Sequence, residues 1–311
     1  MISNHTTMHS RSLRIGSALA LCGVLAACGK DIPERRFTSA EEAATALITA
    51  AEQYDVPSLR AILGSDGEEL IASEDTVLDR NRAMAFAAEA KAQQRLEYDS
   101  TKTSAVLLIG PGEWPVPMPI INENGKWYFD VESGRDEVLL RRIGRNELDA
   151  IQAAHTYVEA QWEYALAKHD SSLVHQYAQR VISTPGKHDG LAWVGKDSVW
   201  EGPLGEQIAR FIAEGYRDKY EPLHGYYFKI LKGQGPAAPL GEMDFLVKGA
   251  MIGGFALVAA PAEYLVTGVK TFIVSHDGVV YEKDLGEKTV ELFKTMEKYN
   301  PDSTWTKVPN D

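Results

Sequence analysis

Cysteine is nearly absent. The 311-residue chain has two, Cys22 and Cys28, both near the N-terminus. The body after them can form no internal disulfide, offers no thiolate nucleophile and has no thiolate metal ligand. Positive charge is also scarce, with 32 Lys and Arg against 44 Asp and Glu and a formal net charge of −12. That balance argues against nucleic acid as a partner and against a basic patch on anionic lipid. No later apolar run reaches membrane-spanning length. Met251 to Pro261 is the most apolar, but Gly253 and Gly254 interrupt it, so it reads as a buried strand. Catalytic signatures are missing too. There is no His-Glu-x-x-His and no His-x-His, so no metal is expected. Thr184-Pro185-Gly186-Lys187 has the look of a phosphate loop, but Val181 stands where that loop requires Gly and His188 replaces Ser or Thr. Ser183 has no nucleophile elbow around it. No cofactor is expected.

What is present begins with a leader. Arg11 and Arg14 precede an apolar run from about Ile15 to Ala27, too short to span a bilayer and suited to a signal peptide. It ends in Leu25-Ala26-Ala27-Cys28, the pattern at which a bacterial lipoprotein signal is cut. The reading is a signal peptide over residues 1–27, with Cys28 as the lipid-bearing first residue of the mature chain. The rival reading is an ordinary secretory signal that leaves Cys28 free. Several acyl chains anchor stably, at about 0.8 kcal/mol per buried methylene. Gly29 after the Cys favours export to the outer membrane, facing the periplasm. Removing the leader leaves 30 basic and 44 acidic residues, a charge near −14.

Residues 28–36 read as a polar tether and residues 37–140 as an N-terminal α+β unit. Ser39 and Glu42 form a capping box with Phe37 as the staple, and Ala43, Ala46, Leu47 and Ala50 follow at helical spacing. Asp55-Val56-Pro57 opens a second helix that Gly64 stops, and a long helix is expected from about Thr76 to Glu97. Three strands follow, over residues 104–109, 116–121 and 126–131, with Asn124-Gly125 as a hairpin turn. Nuclear-transport-factor and cystatin-type folds share this layout, by analogy only.

Residues 141–311 read as a second unit. Asn146 is expected to cap a helix whose apolar face carries Leu148, Ile151, His155, Val158, Trp162 and Ala165. Strands near residues 225–231, 250–260, 269–274 and 279–283 follow, then a closing helix over 287–299. A long helix followed by an antiparallel meander is the layout of the globular part of pilins. The fold class is α+β.

Arg141, Arg142 and Arg145, with Lys187 and His224, form the candidate anion or interaction site. Cations at a helix start oppose its dipole, so either carboxylates such as Glu137, Glu147 and Asp149 or a bound anion must offset them. The first alternative makes the arginines a ladder that packs the two units together. His188-Asp189 and His276-Asp277 read as surface turns. In His224-Gly225-Tyr226-Tyr227-Phe228, Tyr226 and Phe228 are expected to fill one sheet face while Tyr227 and Lys229 meet water. Trp114, Trp127, Trp193 and Trp200 are groove candidates, with burial as the default.

At these segments the chain resembles a bacterial domain-of-unknown-function family, number 2950. The carrying residues are Arg141 to Glu147, Ser183 with Pro185-Gly186-Lys187 and Asp189-Gly190-Leu191, and His224 to Phe228 with Gln234-Gly235. Gly253-Gly254-Phe255-Ala256, Thr271 to Val274 and Tyr281 to Gly286 complete them. Leu240 and Leu265 stand where the family pattern has Gly, which predicts altered turns. The resemblance implies an exported envelope protein and supplies no reaction. The strands from Tyr226 to Tyr281 are also similar, more weakly, to secreted pilin-like domains. The expected function is a non-enzymatic lipoprotein, joined to the membrane by its lipid, that binds or scaffolds an envelope protein partner. One alternative is a peptidoglycan or polysaccharide hydrolase using acids near Arg145, Lys187 or His224. The other is a carrier of a small apolar ligand in the N-terminal unit.

Overall fold

A computed structural model describes residues 35–217 and 221–309. The leader and Cys28 lie outside the described residues. The fold class is α+β, with a helical and antiparallel first half and a helix-on-meander second half.

The first half starts at α1 (Ala40–Gln53). Ser39 Oγ accepts the Glu42 N–H at 3.1 Å, and the Glu42 carboxylate turns back to the Thr38 N–H at 2.8 Å. α2 (Val56–Leu63) is capped by Asp55, α3 (Glu68–Ile71) is a single turn, and α4 (Thr76–Ala92) is capped by Asp75. The expected extension of α4 to Glu97 does not form. Gln93 turns extended, and Gln94–Tyr98 becomes a strand paired with Ser104–Ile109. That pairing is a hairpin closed across residues 99–103, and helical spacing alone could not show it. Lys126–Phe129 and Ile120–Glu123 form the expected hairpin. Phe37, Ile62, Leu107, Ile120 and Phe129 fill the interior between helices and sheet.

α5 (Val131–Ala165) is 35 residues long and begins well before Asn146. Asp130 caps it, accepting the Ser133 N–H at 3.2 Å. Asn146 therefore sits mid-helix, and Arg141, Arg142 and Arg145 lie in the helix interior. The dipole argument for an anion does not apply there, because the effect is confined to the first turn. The expected junction at residues 140 and 141 falls inside this helix. Gly134 disguised the start. Its lack of a side chain serves close packing, since a Cβ there would lie 2.5 Å from the Pro117 carbonyl oxygen.

α6 (Gly205–Glu214) precedes the meander of Tyr226–Leu231, Ala256–Pro261, Lys270–Ser275, Val280–Asp284 and Thr306–Lys307. Each strand pairs antiparallel with the next. α5 crosses this sheet, and α7 (Thr289–Thr295) also packs against it. Phe293 of α7 stacks on Tyr227 at 6.1 Å, and Lys229 Nζ donates to the Lys294 carbonyl at 3.0 Å. Tyr227 and Lys229 are therefore half-covered rather than wet, because α7 is shorter than expected and folds back. Lys298–Tyr299 beyond it pairs parallel with Gly233–Gln234. Leu240 and Leu265 both occupy left-handed backbone, at φ 70° and 64°. A side chain with a Cβ is strained there.

Candidate functional site

Two apolar cores, one per half, meet along a polar seam. Its hub is Asp75, 2% exposed. Its carboxylate caps α4 through the Leu78 N–H at 2.9 Å, accepts the Tyr216 hydroxyl at 3.0 Å and accepts the Gly225 N–H at 2.8 Å. Arg82 of α4 donates to Asn146 Oδ1 at 2.7 Å, and Asn146 Nδ2 donates to the Thr267 carbonyl at 2.8 Å. Burial, with help from Arg142 and Arg145, lowers the Arg82 guanidinium to about 10. A Cβ on Gly225 would lie 2.4 Å from Asn146 Nδ2, so only glycine lets the strand start against α5. Glu147 accepts the Val269 and Lys270 N–H groups at 3.0 Å each.

The predicted residues distribute unevenly. Arg142 reaches into the seam and donates to the Glu69 and Leu70 carbonyls at 2.6 and 2.8 Å. Burial lowers its pKa, with Asp79 the main opposing charge. His224 lies at the seam's edge, with Nε2 3.0 Å from Glu214 and Nδ1 3.4 Å from Asp149. Arg141 is exposed and pairs with Glu137 at 2.7 Å. Arg145 is exposed. Lys187 is exposed in a turn where its N–H donates to Thr184 O at 2.9 Å. The neighbouring His188 carbonyl is held by the Tyr164 hydroxyl, so roughly 33 Å of α5 separates that attachment from Arg142. The five residues form no single pocket. Seam acids are likewise occupied: Asp79, raised by burial, accepts the Ser73 N–H and hydroxyl. Among the described residues no group of three His, Cys, Asp or Glu is placed to hold a metal ion.

The other end of α5 differs. A groove of about 300 Å³ opens there, lined mainly by Trp162, Leu166, His175, Gln176, Tyr177 and Ile252. Trp162 is 47% exposed and Leu166 80%. The walls are fixed from beneath. Buried Gln161 donates to the Ala178 carbonyl and accepts the Ala178 N–H, both at 2.8 Å, clamping the returning loop to the helix. The Tyr177 N–H donates to the Met251 carbonyl at 2.8 Å. Trp162 meets Tyr177 and Phe255 edge-to-face at 5.6 and 5.8 Å, which fixes the indole plane. α5 has no Lys or Arg in its last turn. Two imidazoles bond its terminal carbonyls instead: His169 Nε2 lies 2.8 Å from Tyr164 O, and His175 Nδ1 lies 2.8 Å from Ala165 O.

The sequence profile of the family described as Protein of unknown function (DUF2950) matches residues 34–308, nearly the whole described chain. The chain belongs to that family. No curated protein and no solved structure matches it. The residues that carry the DUF2950 resemblance disperse through the fold. Arg142, Asn146 and Gly225 build the seam, Ser183 and Gly190 bond each other within a loop, and Phe255 is core. Family membership therefore marks how the chain folds and leaves its activity to the site.

Sequence reasoning missed the groove. Trp162 sits in a stripe at core spacing, so it read as buried. The available signal was the cluster of Leu166, Leu173 and Val174 beyond the last periodic residue, all of which the structure leaves exposed. Of the four tryptophans named as groove candidates, Trp127 is buried and Trp114 lies exposed in the first half.

Proposed function

We propose that the chain is a lipid-tethered, periplasm-facing protein of the bacterial cell envelope that works by binding rather than by catalysis, and that the groove at the end of α5 is its binding surface. One observation carries the second part. Polar groups along the seam are bonded to the fold, whereas the groove joins exposed aromatic surface to polar side chains that, among the described residues, make a single bond to the fold, from His175 Nδ1 to the Ala165 carbonyl. A pocket of mostly apolar lining with a few convergent polar groups is the usual form of a ligand site. The tether rests on the Leu25-Ala26-Ala27-Cys28 pattern. The hydrolase alternative needs a carboxylate pair free to act. Asp79 is held by Ser73, and Glu263, raised by burial and by the like charge of Glu74, is in turn held by the Glu74 backbone and the charge of Arg142.

A photo-crosslinking side chain placed at Leu166 in the full-length protein tests the surface in living cells. Adducts should form there, should weaken when Trp162 is also replaced by Ala, and should not form from Arg145. Adducts that ignore Trp162, or that arise only from Arg145, would contradict the reading. Intact-mass analysis of membrane-extracted protein should show a diacylated or triacylated N-terminal Cys28. Cys28→Ser should release the protein from membranes, and an unmodified terminus would remove the tether.

A further inference from the structure

We infer that the groove takes a neutral oligosaccharide, one sugar ring stacked on Trp162 and its hydroxyls bonded by the rim. This deepens the proposed function and rests on the groove being the binding surface. Charge narrows the ligand first. Among Trp162, Leu166, His175, Gln176, Tyr177 and Ile252 there is no Lys, Arg, Asp or Glu, although the whole chain is strongly acidic. Such a lining offers a phosphate or a carboxylate no Lys or Arg, and a basic peptide no carboxylate.

Hydrogen-bonding capacity narrows it further. Among the described residues the Trp162 indole N–H, the Tyr177 hydroxyl and the Gln176 side-chain amide make no hydrogen bond, while His175 is committed at Nδ1 alone. The partner of His175 Nδ1 is the Ala165 carbonyl, which can only accept, so Nδ1 carries the proton. In the neutral ring Nε2 is then an acceptor. The rim thus combines donors (the indole N–H, the amide NH₂) with acceptors (His175 Nε2, the amide oxygen), and the phenol serves as both. A hydrocarbon ligand would bury these groups unpaired at a cost of about 1–3 kcal/mol each. A polyproline segment offers carbonyl acceptors and no backbone N–H, leaving the acceptors unpaired. Sugar hydroxyls donate and accept, and the C–H face of a pyranose is apolar enough to lie on an indole. The edge-to-face packing of Trp162 on Tyr177 and Phe255 holds that plane before a ligand arrives.

The test is calorimetric titration of the full-length protein, held in a detergent without a sugar headgroup, with two probes: tri-N-acetylchitotriose and cellotriose. At least one should saturate with millimolar or tighter affinity. Trp162→Ala should weaken it about tenfold. Gln176→Leu keeps the side chain's size and touches no bond of the fold, and it should weaken binding several-fold. Trp114→Ala, an exposed tryptophan in the first half, should leave binding unchanged. Unchanged urea midpoints certify that the Gln176 and Trp114 variants fold. Failure of both sugars to saturate at about 10 mM, saturation by octaproline in their place, or sugar binding indifferent to both Trp162→Ala and Gln176→Leu would overturn the inference. Crosslinks at Leu166 without sugar binding would leave the groove as the binding surface and remove only its ligand.

Discussion

The seam between the two cores and the groove at the end of α5 contain the same kinds of residue. Each has a histidine, a tyrosine, a side-chain amide and a neighbouring aromatic: His224, Tyr216, Asn146 and Phe211 in one, His175, Tyr177, Gln176 and Trp162 in the other. They differ in what those groups are bonded to. At the seam Tyr216 donates to Asp75, Asn146 joins Arg82 to Thr267, and His224 lies between two carboxylates. In the groove the corresponding groups make, among the described residues, no hydrogen bond to the protein beyond the single bond of His175 Nδ1. Polar residues that bond one another hold a fold together, and solvent-facing polar residues beside exposed aromatic surface are open to a ligand. Residue type alone would have placed the site at the seam, where the arginines and His224 gather.

The largest effect should come from breaking the seam at its hub. Asp75→Ala removes a helix cap and strands the Tyr216 hydroxyl and the Gly225 N–H, and it should cost about 4 kcal/mol in urea unfolding. A loss below about 1 kcal/mol would mean that the seam is not structural.

Alkali should come next. Burial pushes Tyr164 up to about 12, and burial with the Glu41 hydrogen bond does the same for Tyr98. Burial raises Tyr157, Tyr216, Tyr226 and Tyr299 further. The unfolded phenols ionise from about pH 10 while the folded ones keep their protons. Their contribution is therefore complete below pH 10 and is lost as pH rises through 12. Arg82, lowered to about 10, acts in the opposite sense, since its folded form sheds its proton first. One guanidinium is outweighed by several phenols. Urea midpoints should fall steadily above about pH 10, and the fall should be shallower in Tyr164→Phe.

Gln161→Leu probes the one place where the two regions share a logic, a buried amide that serves the groove. Leaving Ala178 without its partners should cost about 2–3 kcal/mol and should loosen the groove wall as well. Trp162→Ala should separate binding from stability, with about 1 kcal/mol of unfolding free energy lost and binding weakened about tenfold. A loss on the scale of a buried aromatic, about 3–5 kcal/mol, would return Trp162 to the core. Smallest of all, Leu240→Gly and Leu265→Gly should each raise stability by about 0.5–1 kcal/mol, because both leucines occupy left-handed backbone and are exposed.

Much of the fold was legible because its signals are local. Ser39 caps the helix it was expected to cap, a second helix opens after Asp55 as expected, Asn124-Gly125 turns its hairpin, and the meander pairs in chain order. What failed was mostly non-local, with one hairpin among the failures. Asn146 looked like a cap because its amide is polar and precedes an apolar stripe, but its partner is Thr267, 121 residues away. Gln94–Tyr98 looked helical because its strand partner lies beyond a turn. Tyr227 looked wet because α7 covers it from the far end of the chain. The groove was hidden for the opposite reason. Trp162 has the spacing of a core residue, and only the path of the loop at residues 166–177 leaves it uncovered.

The central claim is that the end of α5, and not the seam, meets the envelope. Backbone hydrogen exchange of the full-length protein, compared between isolated envelopes and detergent solution, addresses it most directly. The account predicts added protection over residues 162–177 with residues 214–225 unchanged. Protection confined to residues 214–225, or no change at either place, would contradict it.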